Sequence, residues 1–291
     1  MNWEKEALAR IEQVPVPPVM AHLARLDAEM RARRKGLDRV TLDIVLETEK
    51  GYVSTFGAEA VATITAMAEG KDPALPEEFY EEDSEDLFSI QLCPAKYGAC
   101  TAEKRGMMRD ILKPVRQKLK AFNITQIIMN KSEPPLMSHH VFTVSIIGCP
   151  NCCLSPYFSD FGIICLYQPE VNNDECVQCG ACANYCTEQA IRFEKNQTII
   201  DYAACVMCGG CINKCPVDAL SISRTGYKVV VGGCGSRHPQ LAQTVTQCTN
   251  KAGVLQILEK ALKLFEQAPV DGKELCFHGV IKKHGVDGLR I

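Results

Sequence analysis

Seventeen cysteines stand in this 291-residue chain, and eight of them fall into two runs of the same spacing, Cys-x2-Cys-x2-Cys-x3-Cys. The first holds Cys176, Cys179, Cys182 and Cys186; the second holds Cys205, Cys208, Cys211 and Cys215. Two-residue gaps let three sulfurs of one loop cap three irons of a cubane, while the fourth thiolate arrives from elsewhere. Zinc prefers separated cysteine pairs, so the spacing points to [4Fe-4S] clusters. A disulfide scaffold is a poor account, because such scaffolds are short and secreted. The segments ECVQCGACANYCTEQAI (175–191) and ACVMCGGCINKCPVDAL (204–220) form an internal duplication with equivalent cysteines 29 residues apart. Gly180, Gly209 and Gly210 permit the tight loops and leave amides close to sulfur.

This segment resembles the two-cluster bacterial ferredoxins, in which the fourth cysteine of each run ligates the other cluster. The resemblance implies one cluster on Cys176, Cys179, Cys182 and Cys215, and another on Cys205, Cys208, Cys211 and Cys186. Thr187 stands where proline usually follows the fourth cysteine, as Pro216 does in the second run.

A further set comprises Cys93 and Cys100, then Cys149 and Cys153 in IIGCPNCCLSPYFSDFGIIC. GCPN-x-C, followed by a proline, an acidic residue and a G-I-I run, resembles the siroheme-dependent sulfite and nitrite reductases. So does VVVGGCGSRHPQLA (229–242), which is similar to the glycine-rich stretch of anaerobic and dissimilatory sulfite reductase subunits. The resemblance covers about residues 91–290. It implies a third [4Fe-4S] cluster on Cys93, Cys100, Cys149 and Cys153, with Cys153 bridging to siroheme iron, and tetrapyrrole contacts at Gly232, Gly233, Arg237 and His238. The upstream pair departs from the family in its six-residue gap. Cys152 occupies a position where a small residue is expected, which leaves Cys152 and Cys153 both open as ligand. The arginine-rich half that precedes the first pair in siroheme enzymes has no counterpart: residues 51–90 hold no arginine and one lysine, Lys71. Anion reduction needs cations where negative charge develops. Three readings of this set stand: a cluster without tetrapyrrole, a cluster coupled to siroheme, and ordinary buried cysteines.

The elements that must position these residues suggest an α+β protein: a sulfite-reductase-like α/β domain over 91–170 and 224–291, interrupted by a ferredoxin-type domain at 171–223. A small helical domain at 1–50 precedes it, joined by an acidic connector at 51–90. In the first, the helix expected over 19–35 puts Val19, Leu23, Leu26 and Met30 on one face. Trp3, Ala7, Ile11, Pro15 and the stretch from Arg25 to Thr41 resemble the small C-terminal domain of the light-independent protochlorophyllide reductase B subunit. Thr41–Glu47 reads as either strand or helix. Helices are expected at 107–121, with Pro114 as a kink or restart, at 239–247 and at 251–267. Strands are expected at Ile124–Met129, Val141–Ile147, Phe161–Leu166 and Lys228–Val231.

Thirty-two basic residues against 35 acidic ones give a net charge of −3, without the basic surplus of a nucleic-acid binder. No apolar run reaches the roughly 18 residues of a membrane span, and the N-terminus lacks the pattern of a secretory signal. These features lead to the expectation of a cytoplasmic, iron-sulfur electron-transfer subunit suited to anaerobic conditions, working with a redox partner protein or larger reductase complex. A siroheme-dependent sulfite or nitrite reductase subunit is the alternative, and self-association is left open.

Overall fold

A computed structural model describes residues 1–13, 18–56, 86–97, 100–132, 140–269 and 276–291, with the single positions Ala62 and Ala66. The chain divides into two compact units, Met1–Pro76 with Ala95–Ala102, and Glu77–Pro94 with Glu103–Ile291.

In the first unit, β1 (Asn2–Trp3) leads into α1 (Lys5–Glu12), followed by α2 (Pro18–Arg34), β2 (Arg39–Val40) and α3 (Leu42–Phe56), with β1 and β2 parallel. Their core is Ala7, Ile11, Ala28, Ala32, Val40, Ile44 and Val45, with Trp3 and Ala24 packed against it. Ala24, Ala28 and Ala32 recur every four residues and form one stripe of α2. That stripe corrects the expected apolar face, because Leu26 and Met30 are exposed. The side chains of Val19 and Leu23 lie outside the described residues. Short alanine side chains let neighbouring backbones approach, so the larger residues of α2 are the ones left facing water. Gly36, at φ +70°, ends the helix, and the Leu37 amide donates to the Ala32 carbonyl at 3.0 Å. The undecided stretch Thr41–Glu47 is largely α3, which continues through 51–56 of the expected connector; most of the acidic stretch beyond it, at 57–85, lies outside the described residues.

The second unit is built on a five-stranded sheet. Its first strands are β3 (Phe88–Leu92) and β4 (Phe142–Ile147), with α4 (Ala102–Ala121) and α5 (Ile124–Lys131) between them in sequence. Then come β5 (Phe161–Val171), the helix α6 (Ala181–Tyr185), the hairpin β6 (Ile191–Glu194) and β7 (Gln197–Ile200), and β8 (Leu220–Val231) and β9 (Gln243–Thr249). Two helices follow, α7 (Lys251–Gln267) and α8 (Phe277–His284). The sheet order is β3-β4-β5-β8-β9, with β3, β4 and β5 parallel and β8 and β9 antiparallel to their neighbours. The protein is α+β, as expected.

Two expected elements change type. Ile124–Met129 is helical within α5, started by Asn123, whose side chain accepts from the Gln126 amide. Its apolar run buries Ile124, Ile127 and Ile128 on one helical face. The helix expected at 239–247 is strand β9, where Thr244 and Thr246 favour a pleated edge. Pro114 sits inside α4 without ending it.

Phe142 of β4, Phe265 of α7 and Phe277 of α8 meet with ring centroids 5.3–6.3 Å apart. These contacts fasten both C-terminal helices to the sheet through apolar burial and aromatic edge contacts. The β5–β8 ladder runs from Phe161↔Val231 to Val171↔Leu220, and residues 172–219 extend from its far end. The Asn172 amide, donating to the Ala219 carbonyl at 2.8 Å, closes that junction.

Candidate iron-sulfur centres

The duplicated segment repeats its backbone as well as its cysteines. Positive φ angles occur at Gln178 and Met207, at Gly180 and Gly209, and at Gln189 and Asp218, each pair 29 residues apart. Two of these three pairs involve side-chain-bearing residues, so the loops are curled where a glycine search alone would miss it. The curl turns amides toward sulfur. Ala190 donates to Cys186 Sγ at 3.4 Å, and its equivalent Ala219 donates to Cys215 Sγ at 3.2 Å. Met207 donates to Cys205 Sγ at 3.4 Å.

The cysteines line two cavities. One, open to solvent, is bordered by Cys176, Cys179, Cys182 and Cys215. The other, of about 170 Å³, is bordered by Cys205, Cys208, Cys211 and Cys186. In each the fourth thiol crosses from the other run. Burial pushes the Cys211 thiol up to about 12, with Cys208, Cys205 and Cys182 adding to the rise; Cys182 and Cys205 are also raised by burial. Such a pocket disfavours bare thiolates and suits a cationic metal that keeps its sulfur ligands deprotonated. Among the described residues no three cysteines, histidines or carboxylates converge on a single-ion site. Four sulfur donors around a largely apolar hollow are a soft set suited to iron and sulfide.

The main sheet holds this segment. Tyr167 of β5 bridges to Cys208, and its amide donates to the Met207 carbonyl at 2.7 Å. On the other side, buried Thr198 of β7 places Oγ1 3.1 Å from Cys176 Sγ. Spacing gave no signal for Thr198, because its contact exists only once the β6–β7 hairpin closes.

Two of the further cysteines stand at the carboxyl ends of parallel strands, where α/β sheets commonly hold ligands. Cys93 follows β3 and Cys149 follows β4, and both are buried. The Gly148 amide donates to Cys93 Sγ at 3.2 Å, and Cys93 Sγ lies 3.6 Å from Met108 Sδ. Cys152 has φ +48°, and burial with the Cys149 charge raises its thiol to about 11, opposed by Lys228. Cys153 is exposed, and Cys100 is half-buried in the first unit's segment Ala95–Ala102. Cys165 is fully buried beside these thiols; burial drives it far above its ordinary value, with Cys93 contributing. Lys228 of β8 donates to Tyr157 Oη at 3.3 Å, a cation beside the loop that sequence reasoning did not single out.

Of the residues expected to touch a tetrapyrrole, Gly232 and Gly233 are engaged within the chain. Their amides donate to the Asp160 carbonyl at 2.8 Å and the Ser159 carbonyl at 2.9 Å. A Cβ at Gly233 would stand 2.3 Å from the Tyr157 carbonyl oxygen. Gly233 therefore permits close packing on the Tyr157–Ser159 backbone, while Gly232, at φ +77°, leaves room for the Ile281 side chain of α8. Arg237 and His238 are exposed on the following turn.

The model of the nitrite and sulphite reductase 4Fe-4S domain family matches residues 117–290, more than half of the chain. A coenzyme F420-dependent sulfite reductase of Methanocaldococcus jannaschii is 45% identical over 92 residues, covering 32% of this chain and 15% of that protein. An anaerobic sulfite reductase subunit of Salmonella typhimurium is 40% identical over 53 residues, covering 18% and 15% respectively. The crystal structure of dissimilatory sulfite reductase I aligns with a TM-score of 0.45 at 18% identity, over 62% of this chain and 46% of that one. The matches thus span about one seventh of each of these two curated relatives. No helix among the described residues is long and apolar enough to cross a membrane.

Proposed function

The chain belongs to the nitrite and sulphite reductase 4Fe-4S domain family, and from that premise we propose that it is an electron-transfer subunit with two ferredoxin-type [4Fe-4S] clusters and a third on Cys93, Cys100, Cys149 and Cys153. The observation that carries this reading is the pair of cavities, each bordered by three cysteines of one run and the fourth of the other. Bound clusters supply one-electron storage and transfer. The chain's own part is to bind and orient. The cysteine loops present thiolates, the amides of Ala190, Met207 and Ala219 donate to ligand sulfur, and Tyr167 fixes the second loop to the sheet. A partner protein supplies the electron donor and final acceptor.

A second reading is a siroheme-dependent sulfite or nitrite reductase subunit. Gly232 and Gly233, bonded to the Ser159–Asp160 backbone that follows the Cys149–Cys153 loop, favour it, as does Lys228, a cation that acts on Cys152 of that loop. The missing arginine-rich half weighs against it, because residues 51–90 offer Lys71 as their one basic side chain.

Iron, acid-labile sulfide and pigment quantified on anaerobically purified protein test both readings. The electron-transfer reading expects about twelve iron per chain and no extractable tetrapyrrole. An acid–acetone extract absorbing as an isobacteriochlorin would establish the second reading instead. Colourless or zinc-loaded protein would overturn both.

A further inference from the structure

The two cavities are not equivalent. Exposed Asn151, from the Cys149–Cys153 loop, borders the cavity of Cys186, Cys205, Cys208 and Cys211, whose rim also leaves Tyr185 and Val206 exposed. The cavity of Cys176, Cys179, Cys182 and Cys215 is bordered by no residue of that loop. Cys179 is exposed, and so are three apolar residues of its border, Val177 at 63%, Val217 at 40% and Phe193 at 39%. Such a cluster of bare apolar side chains around a redox ligand is costly to leave in water and is the usual mark of a contact surface.

Charge specifies what it contacts. Two of the three exposed apolar residues have acidic neighbours: Asp174 and Glu175 precede the Cys176–Val177 pair, and Asp218 follows Val217; Phe193 lies between Arg192 and Glu194, which pair with each other at 2.7 Å. Asp174, Glu175 and Asp218 are exposed and form no ion pair among the described residues. Between residues 172 and 219 there are six acidic and three basic side chains. One of those basic residues, Lys214, sits 5.4 Å from the ring centroid of Tyr185, which borders the other cavity, while Arg192 and Lys195 flank Phe193 and Glu194. The rim around Cys179 therefore has an apolar centre and carries Asp174, Glu175 and Asp218 at its edge.

Resting on the electron-transfer reading above, we propose that the exposed face around Cys179 is the docking site for a redox protein whose one-electron centre is ringed by lysine and arginine. Opposite charges steer such a partner and set its orientation. The apolar centre then excludes water where the two redox groups meet.

Cytochrome c, whose haem edge is ringed by lysines, serves as the probe. In the assay one electron passes from the reduced protein to ferric cytochrome c, giving ferrous haem; no bond forms or breaks and no proton moves. Stopped-flow rates are compared for the wild type, the triple variant Asp174→Lys, Glu175→Lys, Asp218→Lys, and a control, Glu266→Lys, which reverses an exposed charge on α7 away from the rim. The triple variant is expected to lower the second-order rate at low ionic strength at least tenfold and to remove its fall with added salt. The control is expected to stay within about twofold of the wild type. Equal rates in the triple variant and wild type, at unchanged iron content, would overturn the docking site while leaving the clusters in place. Protein without iron would instead defeat the functional reading on which it rests.

Discussion

Thr198 is the residue whose contact most directly alters a candidate ligand. Its hydroxyl lies 3.1 Å from Cys176 Sγ in a buried position. Once Cys176 is a metal-bound thiolate it has no proton to give, so the hydroxyl is the donor. A hydrogen bond to ligand sulfur favours the reduced, more negative centre and raises its potential. Thr198→Val keeps the shape and removes the donor. The expected result is a fall of roughly 40 mV in the potential of that one centre, the one-electron equivalent of about 1 kcal/mol. An EPR-monitored redox titration reads it, with the second ferredoxin-type centre as internal reference. A shift of both centres together would mean that Thr198 acts through the fold rather than through sulfur. The convergence of the cysteine ladder on two cavities was legible because its spacing is regular and repeated, whereas Thr198 depends on a hairpin register no local pattern encodes. Arg237 and His238 show the converse: a motif marked them, yet they stand exposed on a turn.

At the scale of elements, legibility followed how much of an element's identity was local. Strands β4, β5 and β8 were readable as apolar runs, although β5 and β8 extend further, into the ladder that carries the insertion. Ile124–Met129 was ambiguous in periodicity and became a helix through its Asn123 cap and one-sided burial. The β4–β5 connection shows what the sequence left hidden. Asp160 lies just before β5 and accepts from the Thr143 amide at 2.8 Å and Thr143 Oγ1 at 2.9 Å, stitching the two strands. Burial nevertheless raises its carboxyl to about 6, the hydrogen bonds offsetting only part of the shift. The native state thus holds this proton more tightly than the unfolded chain, where an aspartate titrates near 4. The associated stability is fully present below about pH 4, is lost as pH rises through about 6, and stays lost above. Asp160→Asn cannot ionise. The variant should be more stable than the wild type at pH 7, by about 3 kcal/mol at most, and the advantage should shrink on acidification toward about pH 4.5. Urea unfolding of cluster-free protein across that range measures it; a difference independent of pH would show that Asp160 is ionised throughout.

For the whole molecule, the separate core of the first unit raises the question of what depends on it. Trp3 donates through Nε1 to Glu29 Oε1 at 3.1 Å, and Arg10 forms a two-point pair with Glu49 at 2.8 and 2.9 Å, so the polar contacts of α1 and α2 close on themselves around Ala7, Ala28, Ala32 and Ile44. The ferredoxin-type loops rest on a different core, Cys182, Ile191, Ile200, Cys211 and Leu220, and on the β5–β8 ladder. Two cores that share no residue should lose their structure independently. A chain lacking residues 1–56 is therefore expected to keep the iron of the two ferredoxin-type centres, about eight atoms per chain, and their EPR signals. Loss of that iron on truncation would mean that the loops need the first unit to fold, and would remove the grounds for treating residues 1–56 as a module for contacts of its own. Retention would leave that unit free to serve a partner of its own, which pull-down with and without it would read.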